Sequence, residues 1–103
     1  MMEGRPIKFR LLEIFNEGAK WNYEVIPQVQ KEYSMDTKYD ADCINFDIIE
    51  ICTAGFLVKN ETKIDDEGIY RKGSLLIRYQ ITQLGRDQFE TISRNLSKKK
   101  VKT

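Results

Sequence analysis

Histidine is absent from this sequence, cysteine and proline occur twice each, and tryptophan once. Each scarcity excludes something. Without histidine, the commonest general base and metal ligand is gone. Cys43 and Cys52 fall inside what reads as one helix, where nine residues at ~100° each put them on opposite faces, ~13 Å apart along the axis. No disulfide can join them there, and their spacing fits no zinc pattern. They read as buried or half-buried thiols of a reducing cytoplasm. No apolar run approaches the ~18 residues of a membrane span, and no secretory apolar segment follows the start. Phosphate-binding glycine loops and Ser/His or Cys/His pairs are missing too, so the reading is a cytoplasmic protein without cofactor or metal, and not an enzyme.

What is present suits one soluble domain. The chain has 103 residues, 41% hydrophobic and 32% charged, with a net charge of +1. That length supports a single core. The near-neutral total hides a gradient: residues 34–55 sum to −4 and residues 79–103 to +4. An acidic middle thus precedes a basic end.

Periodicity supplies the elements. Ile7, Leu11, Ile14 and Phe15 recur at helical spacing after Pro6 and before Gly18, which predicts a helix over about 6–17. Asn22 is a candidate cap for a second helix carrying Val25, Ile26, Val29 and Tyr33, with Pro27 awkwardly early in it. A polar loop follows over 34–38. The third helix is expected from Asp40, as its cap, to Gly55, with Ala41, Ile44, Ile48 and Ile51 as its main stripe. Phe46 and Ile49 project from its other side beside Asp42 and Glu50. After Gly55 the period changes to two: a strand opens at Phe56–Val58, and Leu75, Ile77, Tyr79 and Ile81 alternate in a second. Asp65-Asp66-Glu67-Gly68 between them is a turn signal, and Gly73-Ser74 a candidate bulge. Thr82 caps a last helix in which Gly85, Phe89, Ile92 and Leu96 share a face. The domain is expected over 1–97, with 98–103 a basic flexible tail.

Three helices, an antiparallel hairpin and a further helix make an α+β chain, with a helix-turn-helix followed by a wing. On these residues it resembles the winged helix-turn-helix transcription regulators, the PadR-like branch in particular. The matching runs are Asn22-Tyr23-Glu24-Val25 at the second helix, Ala54-Gly55-Phe56-Leu57 after the third, and Tyr79-Gln80-Ile81-Thr82-Gln83-Leu84-Gly85 leaving the wing. Together they span about residues 6–96. The resemblance implies that the third helix enters the major groove and that the wing touches phosphate or the minor groove of double-stranded DNA.

Physical chemistry asks for a positive footprint on such a surface. Lys59, Lys63, Arg71, Lys72 and Arg78 on the wing offer one, joined by Lys38, Tyr39 and Asn45 at the third helix and by the lysines after Ser97. Arg5, Lys8 and Arg10 extend it at the other end. The third helix itself is acidic where base readout favours Arg, Lys, Asn or Gln. Its Asp42, Phe46, Ile49 and Glu50 suit instead an apolar patch with an acidic rim, fit for a protein partner or a second copy. A small transcription regulator that binds DNA through a basic wing, as a homodimer, is therefore the first expectation. A protein-interaction winged helix is the alternative. Trp21, Tyr23, Tyr33 and Tyr39 invite a small-molecule pocket, although such residues more often complete a small core.

Overall fold

A computed structural model of the chain describes residues 6–101, with side chains through residue 95. The elements run α1 (Ile7–Asn16), β1 (Lys20–Trp21), α2 (Asn22–Glu32), α3 (Lys38–Thr53), β2 (Leu57–Ile64), β3 (Leu75–Ile81) and α4 (Gln83–Val101). One antiparallel sheet in the order β1-β3-β2 backs the helices.

The apolar stripes meet where the periodicity puts them. Leu11, Ile14 and Phe15 of α1, Val25, Ile26 and Val29 of α2, and Ala41, Ile44, Ile48 and Ile51 of α3 close one cluster with Leu57, Ile77, Tyr79 and Ile81 of the sheet. Phe15 meets the Tyr79 ring edge-on at 6.0 Å. Phe89 of α4 stacks on Phe9 of α1 at 5.4 Å, so this part of the last helix is spent on the domain's own core. A second tie between helices is polar. Arg10 of α1 grips Glu32 of α2 with Nε and Nη2, both at 2.7 Å, and reaches Glu13 at 2.8 Å.

Several local expectations need correction. Asn22 does not cap α2; it is the first helical residue, buried, and its amide bridges to β3 by donating to Leu75 O at 3.1 Å and accepting from Ile77 N at 3.3 Å. The cap position belongs to Trp21, whose own N–H is taken by Glu24 Oε1 at 2.9 Å. α3 starts two residues before Asp40. Thr37 is its cap and Asp40 completes a capping box, the hydroxyl accepting from Asp40 N at 3.1 Å and the carboxylate from Thr37 N at 3.3 Å. Lys38 and Tyr39 therefore stand in the first turn of α3 rather than before it. The bulge lies at Asn60, between the Lys59–Tyr79 and Glu61–Arg78 pairs, and not at Gly73-Ser74. Leu75 is exposed while Leu76 is buried. Lys20 and Trp21 add a third strand, β1, at the edge of β3. Pro27 sits inside α2 without ending it.

The three runs that carry the resemblance prove structural. α3 ends in a Schellman arrangement: Gly55 has φ +93°, its N–H reaches Cys52 O at 3.0 Å, and Phe56 N reaches Ile51 O at 3.0 Å. Thr82 then ties the wing's exit to this corner. Its N–H donates to Phe56 O at 3.0 Å, and its hydroxyl donates to Gly55 O at 2.7 Å while accepting from Gly85 N at 3.0 Å. Gly85 is required because a Cβ there would lie 2.3 Å from Phe56 O and 2.7 Å from Ile81 Cγ1. Two motifs far apart in sequence thus form one knot at the base of the wing.

The basic tail expected over 98–103 begins within the last turn of α4 and otherwise lies outside the described residues, as does Arg5. Among the described residues, no helix is long and apolar enough to cross a membrane, and no group of acidic or cysteine side chains is placed to hold a metal.

Candidate nucleic-acid interface

α2 and α3 form the helix-turn-helix, and β2–β3 the wing beside it. The α3 stripe at Ala41, Ile44, Ile48 and Ile51 is fully committed to the core, which turns the opposite face outward. Tyr39 is 75% exposed there, Phe46 61% and Ile49 42%. Every β2 residue after Leu57 is exposed.

The tip of the wing is built on one carboxylate. Asp65 is buried and accepts the N–H groups of Ile69 at 2.7 Å, Tyr70 at 2.8 Å and Arg71 at 2.8 Å. Burial pushes this carboxyl's pKa up, but those backbone donors outweigh it and hold the group below the ordinary carboxylate range. Around it the backbone closes through Asp65 N to Ser74 O and Gly73 N to Asp65 O, both at 2.8 Å, and Gly73 takes φ +87°. The turn expected from this acidic run is thus present, with Asp65 as its hub.

That hub presents Arg71 to α3. Its guanidinium lies over the Tyr70 ring at 4.9 Å, donates to Tyr70 OH at 3.1 Å, and reaches Asp42 Oδ1 at 3.3 Å. Lys38 Nζ approaches the other oxygen of Asp42, also at 3.3 Å. Hydrogen bonds from Arg71 and Lys38 hold the Asp42 carboxyl below its usual range. Three of the expected site residues, Lys38, Asp42 and Arg71, therefore meet at one point.

The others are dispersed. Cross-strand partners share a face, so Lys59 beside Tyr79 stands on the core side of the hairpin, whereas Lys63 beside Leu76 and Arg78 beside Glu61 stand on the other. Lys63 lies over the Trp21 ring at 5.1 Å, and Lys72 is exposed at the tip. Asn45 is half-buried, and its Oδ1, shielded from solvent, has no hydrogen-bond partner among the described residues. Its carbonyl is not offered to a groove. Glu50 pairs with Lys8 at 2.9 Å, which raises the lysine pKa chiefly through that hydrogen bond. Arg10 is spent on α2 and leaves the candidate footprint. The four aromatics share no pocket: Trp21 and Tyr23 lie 5.8 Å apart at the sheet edge, Tyr33 packs on the core, and Tyr39 is out in solvent.

Sequence reasoning found Lys38, Asp42 and Arg71 separately but missed their convergence. It missed Asp65 as the hub and Tyr70 as the support for Arg71. The spacing of Asp65 ahead of Gly68 was the available signal.

The architecture is a winged helix-turn-helix, α+β. Over 94% of its length the chain superimposes on 91% of TA0346 from Thermoplasma acidophilum, a protein provisionally assigned as a transcriptional regulator, with a TM-score of 0.59 and 16% identity. That likeness is one of fold, and it does not single out the PadR-like branch. No protein-family model matches the sequence, and no curated protein does.

Proposed function

We propose that this chain is a DNA-binding regulator of transcription that grips a duplex with its wing and the first turn of α3. The observation that carries the reading is the placement of α3: the second helix of a helix-turn-helix, one face sealed in the core, the other uncovered beside a wing whose tip reaches it through Arg71. The fold shared with TA0346 supports the class. Phosphate contacts fall to Lys38, Lys59, Lys63, Arg71, Lys72 and Arg78, with Tyr39 exposed next to Lys38. Because the outer face of α3 carries Asp42 and Glu50, affinity comes mainly from backbone contacts and little from base readout. A homodimer in the cytoplasm, placing two wings on one duplex, completes the proposal. PadR-like membership is the branch its three motifs favour.

Fluorescence anisotropy with random duplex DNA at two salt concentrations tests it. Micromolar or tighter binding that collapses as salt rises is expected. Replacing Lys59, Lys63, Arg71 and Lys72 together by alanine should weaken binding and flatten its salt dependence. An absence of binding at low salt overturns the reading.

The exposure of Phe46 and Ile49, rimmed by Asp42 and Glu50, favours a second reading in which α3 docks on a protein or on another copy. Phe46→Glu would then dissolve the assembly and leave the fold intact, as measured by light scattering and circular dichroism. Unfolding would place Phe46 in the core instead.

A further inference from the structure

At the meeting of α3 and the wing tip, two cations from different elements share one carboxylate, one oxygen each. Lys38 Nζ lies 3.3 Å from Asp42 Oδ2, and Arg71 Nη1 lies 3.3 Å from Asp42 Oδ1. A lysine and an arginine set about an anion with two terminal oxygens is also the arrangement that holds a phosphodiester.

Neither cation depends on Asp42 for its backbone position, and the Arg71 guanidinium has support besides. Arg71 is held by its backbone N–H on Asp65, by the hydroxyl of Tyr70 and by the ring beneath its guanidinium. The backbone of Lys38 is set at the start of α3 by the Thr37–Asp40 capping box, and its exposed side chain can follow either anion. When the carboxylate leaves, Arg71 keeps its place and Lys38 stays within reach of it. Its contacts are also of the weak, exchangeable kind: the side chains of Lys38, Asp42 and Arg71 are 74%, 55% and 35% exposed. Among the described residues, no other carboxylate is bridged in this way between α3 and the wing.

We propose that the Lys38–Arg71 pair is a backbone-phosphate site of duplex DNA which Asp42 fills in the free protein, so that this carboxylate is a built-in competitor setting the strength of binding. The inference rests on the DNA-binding reading above. On contact, the phosphodiester oxygens take the two cations and the carboxylate swings into solvent. It remains close enough to repel the phosphate, which holds affinity below what the two cations alone would give. Such a charge makes a regulator easily released from non-specific duplex.

Asp42→Asn keeps the shape of the side chain and removes the charge. Anisotropy with random duplex DNA at several salt concentrations should show binding about tenfold tighter at low salt, with a log–log salt slope steeper by about one. Adding Lys38→Ala and Arg71→Ala should abolish the gain. Glu90→Gln, which removes an exposed charge from α4, controls for net charge and should give a much smaller change. Unchanged or weaker binding by Asp42→Asn, with the wild-type chain still binding, overturns the competitor and leaves the function standing. A gain that survives loss of both cations, or is matched by Glu90→Gln, overturns it as well. Failure of both the wild-type chain and Asp42→Asn to bind at low salt removes the function and this inference together.

Discussion

The wing is tied to the helices at both its ends, by contacts of opposite character. At its base, Thr82, Gly55, Phe56 and Gly85 are joined through backbone groups and the Thr82 hydroxyl at 2.7–3.0 Å, and Gly85 has no room for one added methyl. At its tip, the link to α3 is one exposed ionic contact, Arg71 to Asp42 at 3.3 Å. The base fixes where the hairpin leaves the fold; the tip leaves charges that can change partner. Charge by itself does not make a contact exchangeable. Arg10 and Glu32 have the same chemistry as Arg71 and Asp42, but they pair through two bonds at 2.7 Å with side chains only 13% and 22% exposed. Burial and bidentate geometry turn one pair into a structural tie, and their absence leaves the other free to act.

The largest effect should come from the base. Gly85→Ala places a Cβ against the Phe56 carbonyl, a backbone group that can move only with the strand, and against the Ile81 side chain. Overpacking of this kind costs about 3 kcal/mol, and the better helix propensity of alanine returns only about 1 kcal/mol of it. A urea titration should show the midpoint falling clearly with an unchanged slope. A Gly85→Ala protein as stable as wild type would mean that the base is looser than its geometry states, and the contrast between the two ends would fail.

An intermediate effect is expected at the tip, in its response to pH. The Asp65 carboxyl is held below the ordinary range by the N–H groups of Ile69, Tyr70 and Arg71. A carboxylate with a depressed folded pKa gives stability that is full above its unfolded value and lost as pH falls through its folded value. The tip should therefore loosen below about pH 4. Amide exchange at residues 69–71 should accelerate there while the core stays protected, because the hairpin end can open without the domain unfolding. Exchange that quickens everywhere at the same pH would show the tip and core to be one cooperative unit.

These two ends also mark what could be read from the chain. The core stripe of α3 and the Thr82 cap were legible because period and capping are local properties. The Asp65 turn was legible as a turn and illegible as a hub, since its burial depends on how the loop over 65–74 folds back. β1 has two residues, too short for alternation, and exists only because β3 offers Lys20 and Trp21 an edge to pair with. Asn22 read as a cap because asparagine caps helices. Its true partners, Leu75 and Ile77, are more than fifty positions away. The candidate site was legible as a set of cations, but spacing along the chain gave no sign that Lys38 and Arg71 share Asp42, or that the bulge and pleat put Lys59 on one face and Lys63 with Arg78 on the other.

The smallest effect on stability belongs to the residue with the largest proposed effect on binding. Asp42→Asn removes two exposed contacts at 3.3 Å and leaves Arg71 held by Tyr70 and by Asp65. Exposed ion pairs of this geometry contribute little, because side-chain ordering and solvent screening offset the attraction. The urea midpoint of Asp42→Asn should therefore coincide with that of the wild-type chain, whereas Glu32→Gln, which removes the charge from the half-buried pair with Arg10, should lower it measurably. If the order is reversed, the α3–wing contact is a structural tie, and Asp42 loses the freedom that exchange with a phosphate requires.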